Sequence, residues 1–434
     1  KAMLVFKFGG ASVKNAEAVR NVAIIVQKYG VQSLVVVVSA MAKTTNALEK
    51  LTQHYMVGEK NAMLGLYEEI RHFHFEIARE LFGDPKHMVF FQLEQSFLHL
   101  LRYIEEPPSS SYNYEYDRIV STGEIVSTQI ISHYLNKVGV RNQWFDARKL
   151  IITDASFREG LVDWIITPQA VNRALLPYLK PEAGSNKPGI VVTQGFIGAT
   201  MQGFTTTLGR EGSDYTAAII AYSLKAKEVV IWKDVPGLLN ADPKLFEQTR
   251  LLSNISYQEA IELSYYGATV IHPKTLKPLL SRNIPLRVKS FANPSEPGTV
   301  INHNTASDGL TPSYIVKTNQ VLVSILPKDF SFIAEHNLSR IFSDFAKHGV
   351  KINLMQNSAI SFSVCFDYDQ IKTPALIKDL ELNFNLKYSL DLKLFTVRHY
   401  EKATIESITG QSQILLEQKS RNTLQIVVKP NHQN

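Results

Sequence analysis

Apolar residues at the start of the chain follow two kinds of pattern. Residues 2–8 and 33–38 are short apolar runs, and the second is a β-branched stretch without polar alternation, as in a strand covered on both faces. Between them, apolar residues recur at helical spacing, and Asn15 and Gly30 suit the N-cap and the end of that helix. Two strands around a helix predict a parallel α/β sheet with right-handed crossovers, and the alternation continues to about residue 291.

The pattern changes at residues 293–313, which are rich in Asn, Pro, Ser, Thr and Gly and carry little apolar periodicity. Beyond them the predicted order is β-α-β-β-α-β, the ferredoxin-like arrangement, followed by two strand-like runs, QSQILLEQ and TLQIVVK. We therefore predict an α/β domain over residues 1–292, a linker over 293–313, and two small α+β modules over 314–434, the second of them abbreviated.

Composition narrows the class of protein without identifying it. The chain has 434 residues, 45% of them hydrophobic, with 46 Lys and Arg against 40 Asp and Glu, and this balance excludes a disordered chain. The net charge of +6 is scattered, no run of five basic residues occurs, and no apolar stretch approaches the roughly 18 residues of a membrane span. A single cysteine, Cys365, and no evident signal sequence predict a cytoplasmic protein without nucleic-acid or membrane partners.

Several common catalytic signatures are absent from the sequence. It contains neither the G-x-x-x-x-G-K-[ST] of a P-loop nor the G-x-G-x-x-G of a Rossmann fold, no pair of His residues four positions apart, and no Cys cluster. The sequence therefore gives no support to hydride transfer or to zinc chemistry.

Four loops rich in glycine or hydroxyl groups follow predicted strands or begin predicted helices. KFGGAS carries Lys7 with Gly9 and Gly10, which let backbone N–H groups approach an anion closely. The other loops supply hydroxyl, guanidinium and carboxylate groups: Ser39 and Thr45 in SAMAKTTN, Glu124 in STGEIVS, and Arg210, Ser213 and Asp214 in TTTLGREGSDYT. Taken singly, the first loop is equally well an ordinary strand-to-helix turn, and the second an ordinary N-cap cluster.

Together, the four loops suit the transfer of a phosphoryl group to an amino acid. Arg210 would bind an α-carboxylate and Glu124 an α-amine, while Lys7 and the amides of the glycine loop would offset charge on the transferred phosphate. A carboxylate acceptor is already ionised at neutral pH, so it requires positioning and charge neutralisation but no general base.

Eight motifs, in order, resemble those of aspartokinase: KFGGAS, VVSAMAKTTN, STGEIVS, WFDARK, TQGFIGAT, TTTLGREGSDYTAA, VVIWKDVPGLLNADP and YYGATVIHPKTL. The resemblance covers residues 2–291, and the region after 313 is similar to the paired ACT domains of that family. It implies an amino-acid-kinase fold followed by ferredoxin-like ACT domains, a homodimer or higher oligomer formed through the ACT domains, and the phosphorylation of L-aspartate by ATP with Mg²⁺. The product would be 4-phospho-L-aspartate, for lysine, threonine, methionine and isoleucine biosynthesis.

The resemblance also assigns roles to individual residues. It implies catalytic roles for Lys7 and Asp214, and aspartate contacts for Ser39, Thr45, Glu124, Arg210 and Ser213. The implied ATP contacts are Lys7, Gly9, Gly10, Lys233, Asp234, Leu239, Lys244, Thr269 and Val270. No metal ligand is assigned to a protein side chain, and Mg²⁺ would arrive with ATP. Two positions depart from the family pattern, since Thr269 stands where many relatives have lysine and Glu211 where glycine is common.

The regulatory third resembles the family less closely. KINLMQNSAISFSVCF is similar to the effector strand and loop of the first ACT domain, which implies effector contacts at Asn353, Leu354, Gln356 and Asn357. Asn353 and Ala359 stand where lysine-sensitive relatives often carry Asp and Glu, the natural partners of an amine. Their absence weakens a lysine-feedback interpretation and favours a neutral effector such as threonine, or an ACT pair that only dimerises.

Two other functions are compatible with parts of the sequence. Another amino-acid kinase, acting on glutamate or acetylglutamate, would explain Lys7 and the glycines, but not STGE, GREGSDYT and the ACT pair together. A non-catalytic amino-acid sensor on a kinase scaffold is favoured only by the substitution at Thr269, because Lys7, Glu124, Arg210 and Asp214 are all retained.

Overall fold

The computed structural model describes residues 3–29, 32–180, 189–269, 271–329, 331–401, 408, 410 and 412–430. Gly30, most of the predicted turn at 181–189, and Val270 lie outside these residues. The chain divides into two compact units. The first comprises Lys1–Leu238, Ser253–Gln258 and Ile271–Asn304, and the second Leu239–Leu252, Glu259–Val270 and Thr305–Asn434.

The α-helices of the described residues are α1 (Ala16–Tyr29), α2 (Thr44–Val57), α3 (Lys60–Phe82), α4 (Met88–Glu105), α5 (Tyr112–Lys137), α6 (Ile166–Leu179), α7 (Gly212–Leu224), α8 (Tyr257–Tyr266), α9 (Pro273–Ser281), α10 (Glu335–Lys347) and α11 (Lys372–Glu381). The strands are β1 (Met3–Phe8), β2 (Ser33–Val38), β3 (Gln143–Phe145), β4 (Ile152–Thr153), β5 (Ile190–Gln194), β6 (Ile197–Thr200), β7 (Thr205–Thr207), β8 (Glu228–Lys233), β9 (Asn254–Ser256), β10 (Leu286–Ser290), β11 (Thr299–Asn302), β12 (Ser313–Pro327), β13 (Ile352–Asn357), β14 (Phe362–Asp367), β15 (Phe384–Arg398), β16 (Gln413–Lys419) and β17 (Thr423–Lys429).

The described part of the first unit is built on a sheet with the strand order β3-β5-β2-β1-β8-β10-β11-β9. All neighbours in it pair in parallel except β10 and β11. Every residue of β2 is buried, as its unbroken apolar run predicts for a strand with parallel neighbours on both sides. A smaller sheet of β4, β6 and β7 lies in the same unit. The predicted α/β class is confirmed.

The helices of the first unit follow from local signals in the sequence. The Oδ1 atom of Asn15 accepts a hydrogen bond from the Ala18 N–H, at 2.9 Å, so Asn15 caps α1 as predicted. Helices α2 to α5 contribute large apolar side chains to one core with β1 and β2. In α5, the buried residues also include three carboxylates, Glu115, Asp117 and Glu124.

The described part of the second unit is an antiparallel sheet with the strand order β13-β14-β12-β15-β17-β16. The predicted β-α-β-β-α-β order is confirmed as β12-α10-β13-β14-α11-β15. Strands β12 and β15 have 15 residues each, and their register shifts between Lys317 and Gln320. The two strands pair with each other on both sides of this shift. The end of β12 at Pro327 and the start of β15 at Phe384 belong to the first module, whereas the end of β15 at Arg398 also pairs with β17 in the second. The short second module therefore shares two strands with the first.

The stretch 293–313, predicted as a linker, contains β11, which lies between β9 and β10. Four residues with two buried positions are too few for an apolar pattern to be recognised. The proposed domain bounds of 1–292 and 314–434 remain a prediction. Among the helices that the structure describes, none has the length and apolar character needed to span a membrane.

Candidate active site

A cavity of about 890 Å³ lies in the first unit. Strands β1, β2 and β8 are parallel, so their carboxyl ends lie together at one edge of the sheet. The cavity opens at this edge. Eight residues predicted to act in the site line this cavity: Lys7, Ser39, Thr45, Glu124, Arg210, Ser213, Asp214 and Lys233. The structure thus brings together residues that are distant in the sequence, of which Lys7 and Lys233 are the furthest apart, at 226 positions.

The glycine loop after β1 lies against the loop after β2. A Cβ atom on Gly10 would lie 2.7 Å from the Ala42 carbonyl oxygen and 3.0 Å from that of Ala40, so a side chain does not fit. The Gly10 carbonyl also accepts a hydrogen bond from the Ala42 N–H, at 3.1 Å. Gly10 therefore permits the close approach of the two loops, while the predicted ATP contacts of Gly9 and Gly10 remain predictions.

Two lysines face one buried carboxylate at the base of the cavity. The Lys7 Nζ atom lies 2.7 Å from Asp214 Oδ1, and the Lys233 Nζ atom lies 3.8 Å from Asp214 Oδ2. Burial alone would raise the pKa of Asp214, but the charges of Lys7 and Lys233 outweigh burial and hold it below its ordinary value. Asp214 is consequently ionised and fixes the amine of Lys7 in the cavity.

Glu124 is a second buried carboxylate in the cavity, with fewer partners. Its Oε1 atom accepts a long hydrogen bond of 3.4 Å from the Ala40 N–H, and its Oε2 atom has no hydrogen-bond partner among the described residues. Burial raises the pKa of Glu124 to about 8. A cation entering the cavity would restore the ionised form, so this carboxylate is suited to binding a ligand ammonium group.

The N-terminus of α7 also faces the cavity. The helix begins at Gly212 without a side-chain cap, so its first N–H groups and its dipole favour a negative charge beside Arg210 and Ser213. Ser213 lies so close to Gly195 that a Cβ atom there would come within 2.5 Å of the Ser213 Cβ. Guanidinium and helix N-terminus together form a site for a carboxylate or a phosphate.

The carboxylate of Glu211 is hydrogen-bonded to the start of another helix. Its Oε2 atom accepts a hydrogen bond of 2.8 Å from the N–H of His272, the N-cap residue of α9. The Lys274 side chain donates a 2.8 Å hydrogen bond to the Leu208 carbonyl, which ties the same loop to α9 a second time. Glu211 has φ +53°, a conformation that glycine adopts more readily, and its side chain secures the Arg210 loop.

One wall of the cavity was not predicted from the sequence. It is formed by Asn113, Tyr116, Ser156, Phe157, Arg158, Glu159 and Phe196. The Arg158 guanidinium stacks on Tyr116 at 4.2 Å and pairs with Glu49 at 3.2 Å. The loop 154–161 is organised by Asp154, whose Oδ1 atom accepts hydrogen bonds from the N–H groups of Ser156 and Leu161. An Asp two residues before a Ser is a weak turn signal, and nothing in it indicates a cavity wall.

The residues predicted to contact ATP are divided between the units. Lys233 and Asp234 belong to the first unit, and Leu239, Lys244 and Thr269 to the second. Lys244 and Thr269 are exposed. The ATP contacts of these residues remain predictions, as does that of Val270, which lies outside the described part of the chain.

The predicted effector residues lie on β13. The Asn353 side chain accepts a hydrogen bond of 2.7 Å from Lys317 Nζ, and donates to Gln320 Oε1 and Asp367 Oδ1 at 2.8 and 3.0 Å. Leu354 is buried in a core cluster, whereas Gln356 and Asn357 are exposed. Asn353 is thus already bonded within the sheet, and the effector roles stay predictions.

Comparison with known proteins gives consistent results. The amino acid kinase family model matches residues 2–290. Aspartokinase 1 of the Arabidopsis thaliana chloroplast is 32% identical over 391 residues, which are 86% of this chain and 65% of that protein. The lysine-sensitive aspartokinase 3 of Escherichia coli K12 is 32% identical over 390 residues, 87% of this chain and 83% of the relative. The chain thus spans slightly less than two thirds of the plant relative and most of the bacterial one.

Solved structures agree with these relatives. E. coli aspartokinase III in complex with lysine and aspartate, in the T-state, superposes with a TM-score of 0.81 at 28% identity, covering 98% of this chain and 96% of that one. The same enzyme in complex with aspartate and ADP, in the R-state, gives a TM-score of 0.78 at 28% identity and the same coverage. The similarity extends through both compact units.

Proposed function

The chain belongs to the aspartokinases of the amino acid kinase family, and from that premise we propose that it transfers the γ-phosphoryl group of ATP to the side-chain carboxylate of L-aspartate. The products would be 4-phospho-L-aspartate and ADP, which begins the biosynthesis of the aspartate-derived amino acids. The observation that carries the proposal is the arrangement of Arg210, Glu124 and the Lys7–Asp214 pair around one cavity.

The cavity offers one group for each charge of aspartate. Arg210 and the N-terminus of α7 suit the α-carboxylate, and the buried Glu124 suits the α-ammonium. An acceptor held at both ends presents its side-chain carboxylate, and Lys7 with Lys233 offsets the charge on the transferred phosphoryl group. The ionised acceptor attacks phosphorus directly, so no side chain has to remove a proton.

Kinases of this family use ATP with a divalent metal, and we propose Mg²⁺. Mg²⁺ binds mainly through nucleotide phosphates and water, with one or two carboxylates at most. The described residues hold no group of three or more His, Cys, Asp or Glu side chains suited to a metal, and the cavity offers phosphates two lysines and helix N–H groups. These residues fit a metal that is carried by ATP.

A substrate comparison tests the proposed function. ADP release would be measured with ATP and Mg²⁺ in the presence of aspartate, glutamate or acetylglutamate. We expect turnover with aspartate and little with acetylglutamate, whose blocked amine has no charge to pair with Glu124. A folded protein that turns over glutamate or acetylglutamate in preference would identify another amino-acid kinase, and one that binds aspartate without turnover would identify a sensor.

The pKa of Glu124 predicts how activity depends on pH. Only ionised Glu124 pairs with the ammonium group, and its pKa in the free protein is about 8. The kcat/KM for aspartate should therefore rise about tenfold per pH unit up to about pH 8 and level off above it, because kcat/KM reports the free enzyme. The measurement is kcat/KM from pH 6 to 9 at saturating ATP.

The control for this pH profile is Glu124→Gln, which keeps the size of the side chain without its titration. We expect a lower kcat/KM for aspartate and the loss of the dependence below pH 8. A wild-type profile that is flat between pH 6 and 8 would contradict the assignment of Glu124 to the ammonium group.

We propose weak regulation by lysine, although the E. coli relative is named as lysine-sensitive. Asn353 is neutral, its amide already donates to Gln320 and Asp367, and its oxygen already accepts from Lys317. Lysine should therefore bind with a Kd above about 1 mM, or more weakly than about 4 kcal/mol, by calorimetric titration. Threonine provides the comparison, since a neutral effector does not need a carboxylate. Micromolar binding of lysine would contradict this prediction.

The homodimer through the ACT domains and the cytoplasmic location also remain proposals. Among the described residues, the six-stranded sheet of the second unit ends in β13 and β16, and the Gln418 side chain of β16 donates a hydrogen bond of 3.2 Å to the Met355 carbonyl of β13. Other backbone groups on these edge strands would pair with another chain in a dimer. The lone Cys365 is buried in that sheet and suits a reducing compartment.

A further inference from the structure

A buried carboxylate outside the predicted site joins two walls of the cavity. Asp117 lies on α5, seven residues before Glu124, and is fully buried. Its Oδ2 atom accepts hydrogen bonds from the N–H groups of Arg158 and Thr207, both at 2.9 Å. Its Oδ1 atom accepts a third from the Thr207 hydroxyl, at 2.7 Å. All three donors come from segments about 40 and 90 residues away in the chain.

The two segments held by Asp117 build the substrate cavity. Arg158, whose guanidinium stacks on Tyr116, forms one wall of the cavity with its neighbours. Thr207 is the last residue of β7 and lies three residues before Arg210. The segments also contact each other, since the Gly160 N–H donates to the Thr207 carbonyl at 2.9 Å. At Gly209, a Cβ atom would lie 3.3 Å from the Arg158 carbonyl oxygen. A shift of either segment would therefore move the other and displace Arg210.

The backbone at Arg158 shows that this arrangement is imposed by its surroundings. Arg158 has φ +69°, a left-handed conformation that non-glycine residues rarely adopt. Such a conformation persists only where the surrounding structure enforces it. The hydrogen bond from the Arg158 N–H to Asp117 is a direct constraint of this kind, and it originates from the helix that carries Glu124.

We propose that Asp117 is a positioning residue for the acceptor, which sets the spacing between Glu124 and Arg210 by tying α5 to both segments. The inference rests on the proposed function, because the two groups it spaces are those assigned to the ammonium and α-carboxylate of aspartate. Asp117 does not line the cavity, so its effect on catalysis is exerted through Arg158 and Thr207.

Paired substitutions separate positioning from a general contribution to stability. Asp117→Leu keeps the branching at Cγ, with a somewhat larger side chain, but leaves two buried N–H groups without an acceptor. Asp117→Asn is the conservative variant, because its oxygen accepts from both N–H groups and its amide donates to the Thr207 hydroxyl. We expect Asp117→Leu to raise the aspartate KM about tenfold or more, because only the binding geometry for aspartate is lost. The ATP KM should stay within about twofold of the wild-type value. Asp117→Asn should restore the aspartate KM to within about threefold of wild type.

Ser33→Ala is the matched control for lost stability. Ser33 is buried at the far end of β2, where its hydroxyl donates to the Leu179 carbonyl at 2.6 Å. This variant should lower the Tm without changing either KM. If Asp117→Leu behaves like Ser33→Ala, or raises both KM values equally, Asp117 is only a structural residue and the proposal is wrong.

Two further measurements keep the test decisive. Where Asp117→Leu does not fold, Thr207→Val removes one of the three hydrogen bonds. It should raise the aspartate KM severalfold with the ATP KM unchanged, and an unchanged aspartate KM would overturn the proposal. Hydrogen exchange of the Arg158 and Thr207 amides needs no substrate, so it separates failure of this inference from failure of the proposed function. Both amides should exchange slowly in wild type and in Asp117→Asn, and rapid exchange in wild type would overturn the inference.

Discussion

Replacing Lys7 by Ala is expected to lower kcat by about 10²- to 10³-fold, because it removes a preorganised positive group from the transferring phosphoryl group. Lys7 lies 2.7 Å from the buried Asp214, which holds the amine in place before substrate binds. The same substitution leaves Asp214 with only the more distant Lys233, at 3.8 Å, as an ion-pair partner among the described residues. Steady-state kinetics with saturating aspartate and ATP measures the effect, and kcat should change far more than either KM.

Lys7→Arg is the control for the charge of Lys7. It keeps the positive charge but replaces a compact ammonium by a planar fork, so we expect a kcat between those of wild type and Lys7→Ala. Circular dichroism and Tm for each variant show whether the protein remains folded. An unchanged kcat in a folded Lys7→Ala protein would show that Lys7 does not act on the transferred group.

Replacing Arg210, which is exposed in the free protein, by Ala should raise the aspartate KM by about 10- to 10²-fold, since hydrogen bonds to a charged group contribute about 1.5–3 kcal/mol. The N-terminus of α7 would remain, so some affinity for the α-carboxylate should survive. The KM for ATP and the kcat at saturating aspartate should change little, because the interaction is made in both the ground state and the transition state. Initial rates over a matrix of aspartate and ATP concentrations provide all three values.

Arg210→Lys is the matched variant for this test. It retains a charge but not the paired donors that bind both oxygens of a carboxylate, so recovery of the aspartate KM should be partial. Equal increases in the KM values of aspartate and ATP would show that Arg210 organises the cavity as a whole and is not a clamp for the α-carboxylate.

The elements around the site were predictable where one local pattern determines them. The buried run of β2 and the cap at Asn15 are encoded within a few residues, and both are present in the structure. The loops at the ends of β1 and β2 indicated an anion site only in combination with the other two loops, because glycine and hydroxyl groups at a strand end also suit an ordinary turn or cap. Eight of the residues that line the cavity could therefore be named in advance, while their chemical roles remain predictions.

Other parts of the site depend on contacts between distant segments and left no local signal. Asp117 is one acidic residue among many on helices, and only its burial against Arg158 and Thr207 distinguishes it. The direction of the Glu211 carboxylate depends on His272, 61 residues further on. Likewise, the network of Asn353 with Lys317, Gln320 and Asp367 exists only when three strands have paired.

The sharing of β12 and β15 by the two small modules affects how the second unit folds. Each strand passes without interruption from one module into the other, with a change of register near Lys317. Neither module has a complete sheet of its own, so cutting the chain between them would expose unpaired edges in both fragments. We therefore expect the two modules to form one foldon that opens and closes as a single cooperative unit. A destabilising substitution in either module should then lower the hydrogen-exchange protection of backbone amides in both.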